Sequence, residues 1–280
     1  MKKISRRSFL AAAGLSVAAL ALTACGGSSS SVASSVASSA AASSEAASTS
    51  AAAGELTTVE AGKLTMATNA AFPPYEMTTD AGDFEGIDIE TAQAIADKLG
   101  LELQIDDMDF DAALLSVQQG KADIVMAGVT VTDERKAVMD FSDSYATGIQ
   151  SIIVPEGSDI ASPDDLAGKK IGTQRGTTGY IYCSDDFGDE NVVAYDDGLT
   201  AVQALNNGQV DAVVIDNAPA QEFIAANPGL KILDTSYAEE DYAIGMAKNS
   251  PLEDAVNSVL EELKADGTLQ AIVDKYITAE

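Results

Sequence analysis

The chain has 280 residues, of which 46% are hydrophobic, enough for one large domain or two of ordinary size. Its formal net charge of −28 would repel nucleic acid and anionic lipid surfaces, so neither is expected as a partner. The sequence contains no histidine, which removes the commonest general base and metal ligand. We therefore expect no metal and no other cofactor.

The first 24 residues have the pattern of an export signal. Basic residues, among them Arg6 and Arg7, precede an apolar run over residues 9–22 that is too short for a comfortable membrane span. Residues 5–10 resemble a twin-arginine signal, which would mean export after folding.

Residues 22–25, with the sequence LTAC, resemble the lipobox of bacterial lipoproteins, which predicts lipidation of Cys25. A plain secretory signal with an incidental cysteine is the alternative. Residues 26–54 are almost entirely Ser, Ala and Gly, a composition that cannot bury a core, so residues 25–60 are predicted to be a flexible tether. Only Cys183 remains after Cys25, which excludes an internal disulfide. The predicted location is the outer face of the cell membrane, reached by export and held by the lipid.

From residue 63 onward, short apolar runs alternate with helical patterns, which is typical of parallel-sheet α/β units. In the first series the patterns predict strands over residues 63–68, 101–105 and 122–127, and helices over 87–99 and 109–119. In the second series they predict strands over 149–154, 170–174, 191–195 and 210–215, and helices starting near residues 162, 176 and 199. Further strands are expected over 230–233 and 242–247, followed by two C-terminal helices.

The two series share a repeat. Residues 116–126 and 204–214 both read as the end of a helix, a glycine, an aspartate and a strand. This alignment places Gly128 opposite Asp216, each just beyond its strand. Two similar α/β lobes imply a cleft between them, and ligands of open α/β sheets bind beyond the carboxyl ends of strands. Chance similarity between two helix–turn–strand units is the alternative.

Residues 127–135 have the pattern of an anion site. Gly128 allows close approach of a ligand to the backbone, and Thr132 suits a helix N-cap. Arg135 follows, and its planar fork of donors fits a carboxylate. The start of the helix adds free N–H groups. Alternatively, Arg135 is a solvated surface residue beside an ordinary turn.

The polar and aromatic residues at the predicted strand ends suit a zwitterion. The predicted carboxylate donors are Arg135, Thr130 and the N–H groups of Thr177 and Thr178. The predicted ammonium acceptor is Asp216, and the predicted apolar walls are Phe72 and Phe110. Two alternatives stay open, because Asp216 precedes a helix and suits an N-cap, and because phenylalanines commonly belong to the core.

From about residue 64 to the C terminus, the chain resembles the amino-acid-binding family of ABC-transporter solute receptors, solute-binding protein family 3. The motifs that carry the resemblance are residues 69–75, 86–89, 108–111, 127–135, 176–178 and 210–216. The resemblance implies an α/β type II periplasmic-binding-protein fold, with two lobes joined by two crossovers near residues 146–151 and 237–242. Lobe 1 would comprise residues 61–148 and 242–280, and lobe 2 residues 149–241.

The resemblance also implies roles for individual residues. Arg135 and Thr178 would hold the α-carboxylate of an amino acid. Gly128, Thr130 and Asp216 would hold its α-ammonium, with Phe72 and Phe110 on either side. The full predicted ligand set is Asn69, Phe72, Phe110, Gly128, Thr130, Arg135, Gln174, Thr177, Thr178 and Asp216.

The side chain of the ligand is less defined by the sequence. Members of the family that bind lysine or arginine often carry an aspartate where this chain has Asn69, which favours a polar or neutral ligand over a basic one. Asp107 and Asp109 lie nearby in sequence and could restore a negative charge. Gln174 and Arg175 are further candidates for reading the side chain, although Arg175 could simply point into water.

The predicted function is that of a monomeric extracytoplasmic receptor, which binds a free amino acid and delivers it to the permease of an ABC importer. It is not expected to be an enzyme. Two alternatives remain, a ligand-binding sensor without a partner permease and a dehydratase-like enzyme on the same fold. Without histidine, that enzyme would depend on Glu, Asp or Lys for acid–base chemistry.

Overall fold

The computed structural model describes residues 56–277 of the chain. The predicted signal peptide, the lipidation site Cys25 and most of the predicted tether lie outside these residues. None of the helices within 56–277 has the length and apolarity of a membrane span.

The strands, in chain order, are β1 (Lys63–Thr68), β2 (Ala71–Phe72), β3 (Glu76–Thr78), β4 (Phe84–Glu85), β5 (Glu102–Asp107), β6 (Ile124–Val125), β7 (Met139–Phe141), β8 (Ala146–Pro155), β9 (Ile171–Gln174), β10 (Val192–Tyr195), β11 (Ala212–Asp216), β12 (Leu230–Ile232), β13 (Ala238–Tyr242) and β14 (Gly245–Ala247). The α-helices are α1 (Ile87–Leu99), α2 (Phe110–Gln118), α3 (Asp133–Lys136), α4 (Thr178–Phe187), α5 (Gly198–Asn206), α6 (Asn217–Ala226), α7 (Glu253–Ala265) and α8 (Thr268–Tyr276).

The first sheet has the strand order β5-β1-β6-β14-β7. Strand β1 pairs in parallel with β5 and β6, whereas β14 is antiparallel to β6 and β7. One face of this sheet packs on α1, α7 and α8 through a core that includes Leu64, Ile95 and Leu260. The other face packs on α2, where Val117 and Val125 belong to a second core. Apolar side chains are thus buried on both faces, as parallel strands require.

Helix α1 shows why the sequence pattern was readable. Its buried residues include Ala92, Ile95 and Ala96, whose spacing of three and four places them on one helical face. Gly100 follows with φ 70°, a left-handed conformation that glycine adopts without steric cost, and its N–H bonds the carbonyls of Ala96 and Asp97. The helix therefore ends where the sequence predicted.

The second sheet has the order β10-β9-β11-β8-β12, and β13 also pairs with β8. Strands β9, β10 and β11 run in parallel, whereas β8 is antiparallel to β11, β12 and β13. Its two cores include Val202 and Phe223 in one cluster, and Ile152 and Cys183 in the other. The thiol of Cys183 is buried, and burial raises its pKa to about 12.

The chain crosses from the first sheet to the second between β7 and β8, and returns between β13 and β14. Helices α7 and α8 then pack on the first sheet. Two sheets with two crossovers are the two-lobed fold that the resemblance implied. The lobe boundaries given above stay a prediction.

Two predicted elements differ from the structure. The helix expected from residue 162 is a single 3₁₀ turn over Pro163–Leu166, because the capping box between Ser162 and Asp165 starts a turn that Ala167 leaves at once, with ψ 121°. The strand expected over 242–247 divides into the end of β13 and β14, which belong to different sheets.

Candidate functional site

One cavity is lined by all ten residues of the predicted ligand set. The space inside it amounts to about 440 Å³, counting the part open to solvent. The residues that complete its wall are Glu76, Ala127, Gln150, Val214, Ile215 and Tyr242.

Arg135 is the cationic side chain of this cavity. Thr132 caps α3 by accepting a hydrogen bond from the Arg135 N–H (3.1 Å), which places the arginine at the start of the short helix. The side chain is only 8% exposed, and its Nη1 donates to the carbonyl of Thr130 (2.8 Å) and its Nη2 to that of Gly176 (3.1 Å). The guanidinium lies 5.4 Å from the ring centre of Phe110. The alternative that Arg135 is a solvated surface residue is therefore wrong.

The start of α4 forms the wall near Arg135. Thr177 is the N-cap, and its hydroxyl oxygen accepts a hydrogen bond from the N–H of Tyr180 (3.3 Å). Thr178, the first residue of the helix, is buried. The N-terminus of a ten-residue helix brings N–H donors and the positive end of the helix dipole, which both favour an anion.

Asp216 provides a buried carboxylate at the end of β11, with only 2% exposure. It caps α6 by accepting from the N–H of Ala218 (3.0 Å), and its other oxygen accepts from the N–H of Ile149 (2.7 Å). Burial raises its pKa to about 6, and the two backbone hydrogen bonds oppose that rise. Asp216 is thus an N-cap, ionised at pH 7, that also lines the cavity.

Gly128 is held by a buried acidic pair. Its N–H donates to Asp88 (3.1 Å), which also accepts from the hydroxyl of Tyr145 (2.8 Å). Glu76 lies beside Asp88, and burial together with the charge of Asp88 raises the pKa of Glu76 well above its ordinary range. Gly128 itself has φ 55°, and an added Cβ would lie 2.9 Å from the ring of Phe72.

Two amide side chains meet across the cavity. Asn69 follows β1 of the first sheet, and its Oδ1 accepts from the Nε2 of Gln174, the last residue of β9 in the second sheet (2.8 Å). The Nδ2 of Asn69 donates to the carbonyl of Met108 (3.0 Å), and Gln174 also donates to that of Asp196 (3.2 Å). The pair joins the two sheets through uncharged groups.

The charged candidates for reading the ligand side chain do not line the cavity. Asp107 is exposed and accepts from the N–H of Ala70 (2.8 Å), and Asp109 is exposed at the N-cap of α2. Arg175 is 52% exposed and pairs with Asp196 (3.3 Å), so it points into water. Asp107 and Asp109 thus lie outside the cavity wall, and the suggestion that either restores a negative charge to the site stays a prediction.

The sequence analysis missed several buried polar residues near the cavity, chiefly Glu240 and Gln150. Glu240 lies on β13, where residues alternate between exposed and buried positions. In the sequence it stands within the acidic run of residues 239–241, which resembles a solvated surface segment. The period-two pattern that ends at the buried Tyr242 was the signal that could have found it.

These features define a class of protein. Two α/β lobes with two crossovers enclose a polar cavity, which has a buried cation on one side and a buried carboxylate on the other. Such an arrangement is that of the type II periplasmic binding proteins, which bind small solutes between their lobes.

Residues 64–279 match the model of the bacterial extracellular solute-binding proteins, family 3, and the chain belongs to that family. It is 33% identical over 226 residues to the L-cystine-binding protein TcyJ of Escherichia coli K12, covering 79% of this chain and 85% of that protein. The arginine-, lysine- and histidine-binding protein ArtJ of Geobacillus stearothermophilus has a similar structure, with a TM-score of 0.75, 34% identity, and coverage of 78% of this chain and 96% of that one. An ancestral arginine-binding protein bound to glutamine matches with a TM-score of 0.74, 41% identity and coverage of 78% and 99%.

The family and these relatives are binding proteins rather than enzymes, and the family is extracellular. Their names specify cystine, arginine, lysine and histidine. The expected preference for a polar or neutral ligand over a basic one is therefore not supported.

Proposed function

We propose that this protein is an extracytoplasmic receptor, which binds one free amino acid in the cavity and delivers it to the permease of an ABC importer. The observation that carries the proposal is the pairing of opposite buried charges, Arg135 and Asp216, in the wall of a single cavity. Every free amino acid presents a carboxylate and an ammonium on one carbon, so a site with one fixed cation and one fixed anion matches what all amino acids share.

In this proposal Arg135 and the start of α4 hold the α-carboxylate. Arginine has five N–H donors, and the two bonds to backbone carbonyls leave others for the ligand. Asp216 and the carbonyl of Gly128 hold the α-ammonium, while Phe72 and Phe110 flank the ligand. Because the ligand contacts residues of both sheets at once, its binding favours closure of lobe 1 (61–148 and 242–280) on lobe 2 (149–241).

The amide pair Asn69–Gln174 is proposed to face the ligand side chain. Amide oxygens accept from a guanidinium, an imidazole or a second amide alike, so these residues suit a side chain that makes hydrogen bonds, whether charged or neutral. Arginine, lysine, histidine, cystine and glutamine are the first ligands to test.

A thermal-shift screen of the twenty amino acids, with cystine and ornithine added, tests the proposal. A ligand at 1,000 times its Kd stabilises the folded protein by about 4 kcal/mol, which raises Tm by several degrees in a chain of this size. The control is Arg135→Ala, which should lose the shift. If none of the amino acids raises the Tm of the unaltered protein, amino-acid binding is refuted.

We further propose that the mature protein is anchored by a lipid on Cys25, after removal of residues 1–24, with residues 25–60 as the tether. The support is the lipobox-like sequence at residues 22–25 and the Ser/Ala-rich composition that follows. Metabolic labelling with a radioactive fatty acid should label the protein and leave Cys25→Ser unlabelled and released from the membrane fraction. Cys183→Ser should stay labelled, and a labelled Cys25→Ser protein would refute the anchor.

A further inference from the structure

Glu240 is a buried acidic side chain, 7% exposed, on one of the two crossovers between the sheets. A single carboxylate oxygen, Oε2, accepts from the hydroxyls of Thr130 (3.1 Å) and Thr178 (3.0 Å) and from the Nε2 of Gln150 (2.9 Å). Thr130 lies beyond β6 of the first sheet, whereas Thr178 starts α4 against the second. Glu240 is therefore where polar groups of both lobes meet.

The direction of these hydrogen bonds determines what the threonines offer to a ligand. A hydroxyl has one proton and two lone pairs, and a carboxylate can only accept. Each hydroxyl can therefore direct its proton at Glu240 or, since the two hydroxyl oxygens lie 3.4 Å apart, at the other hydroxyl. Thr130 and Thr178 also line the cavity, where their hydroxyl oxygens present only lone pairs. A lone pair attracts an ammonium and repels a carboxylate.

We infer that Glu240 is a positioning residue of the ligand site, which orients the hydroxyls of Thr130 and Thr178 as acceptors for the α-ammonium of the bound amino acid. The inference rests on the proposed function and refines it. Thr178 then contacts the α-carboxylate through its backbone N–H at the start of α4, while its hydroxyl joins Asp216 around the ammonium. The hydroxyl protons would otherwise be free to turn into the cavity, where they would oppose that ammonium.

Two substitutions at Glu240 separate the positioning of hydroxyls from a simple effect of charge. Glu240→Met has nearly the same length and removes the acceptor, whereas Glu240→Gln removes the charge and keeps an oxygen that the hydroxyls can bond. Glu239→Met is the matched control, because Glu239 is exposed on the same strand. Affinity for the amino acid found in the screen is measured by titration calorimetry.

We expect Glu240→Met to weaken binding by about tenfold or more, equivalent to at least about 1.4 kcal/mol. Glu240→Gln should stay within about threefold of the unaltered protein, and Glu239→Met should bind normally. Equal losses in Glu240→Gln and Glu240→Met would overturn the inference, because charge alone would then explain them, and so would normal binding by Glu240→Met. The proposed function fails separately, through absence of binding by the unaltered protein.

A second pair of variants keeps the test decisive if Glu240→Met does not fold. Thr130→Val removes the hydroxyl at nearly constant volume, and Thr130→Ser keeps it. Each is titrated with the amino acid and with its analogue that lacks the α-amino group. Thr130→Val should weaken binding of the amino acid about tenfold and leave binding of the analogue unchanged, and Thr130→Ser should change neither. An equal loss for both ligands in Thr130→Val would overturn the role of the hydroxyl as an ammonium acceptor.

Discussion

Replacing Arg135 by alanine removes the proposed partner of the ligand α-carboxylate from a site that water barely reaches. The side chain is buried and also bonds the carbonyls of Thr130 and Gly176, which belong to opposite sides of the cavity. Loss of one partner of a buried, hydrogen-bonded charge pair costs about 2–5 kcal/mol of binding, which corresponds to a loss of affinity of about 30- to 5,000-fold. The upper part of the range is expected, because both the ligand contact and the bond across the cavity are lost.

Titration calorimetry is the suitable assay, since the chain has no tryptophan to report binding by fluorescence. The matched control is Arg175→Ala. It removes the same type of side chain from the position directly after Gln174, outside the cavity wall. Arg175 is 52% exposed and its partner Asp196 is 76% exposed, so their ion pair contributes little and affinity should stay unchanged. If Arg135→Ala binds the amino acid within about threefold of the unaltered protein, the assignment of the α-carboxylate to Arg135 is refuted.

Three further predictions concern the charge of the site, its specificity, and the packing between β8 and β13 at the crossovers that join the two sheets. The pKa of Asp216 is raised to about 6, so the residue takes up a proton as the pH falls through 6, and calorimetry should show affinity falling from pH 7 to pH 5. Asp216→Asn should bind weakly at both pH values. If its affinity fell as steeply from pH 7 to pH 5 as that of the unaltered protein, protonation of Asp216 would not be the cause of the pH dependence. Asn69→Asp places a negative charge beside Gln174 and should raise affinity for arginine relative to glutamine in competition assays; an unchanged ratio would show that Asn69 does not read the side chain. Gly148→Ala places a Cβ 2.3 Å from the ring of Tyr242, so denaturant unfolding should show a loss of about 1–3 kcal/mol, and unchanged stability would show that the ring moves freely.

The sequence allowed prediction of elements whose signals are local. Helix α1 ends at Gly100, α3 begins after Thr132, and β9 and β11 lie where apolar runs were expected, because periodicity and capping depend on neighbours in the chain. The helix predicted from residue 162 is only a 3₁₀ turn, and this error also arises because the signal is local. A capping box shows that a helical turn begins, and the length of the helix depends on what packs against it.

The candidate site could be listed from the sequence because its members stand directly after strands or at helix starts. The motif of residues 127–135 supplied a predicted anion site, and the repeat supplied Asp216 opposite Gly128. The environments of these residues could not be predicted. Burial of Arg135, the internal bonding of Asn69 and the exposure of Asp107 all depend on which segments meet in space.

The sequence by itself determined the α/β class, the family and ten of the sixteen residues that line the cavity, since these are encoded by local patterns and by motifs in a particular order. Only the tertiary structure decided the electrostatics of the site. Glu240 stands in an acidic run that resembles a solvated surface, yet the pairing of β13 with β8 turns its carboxylate inward onto Thr130 and Thr178. Burial and hydrogen-bond direction arise from contacts between residues distant in sequence, and local patterns do not record them.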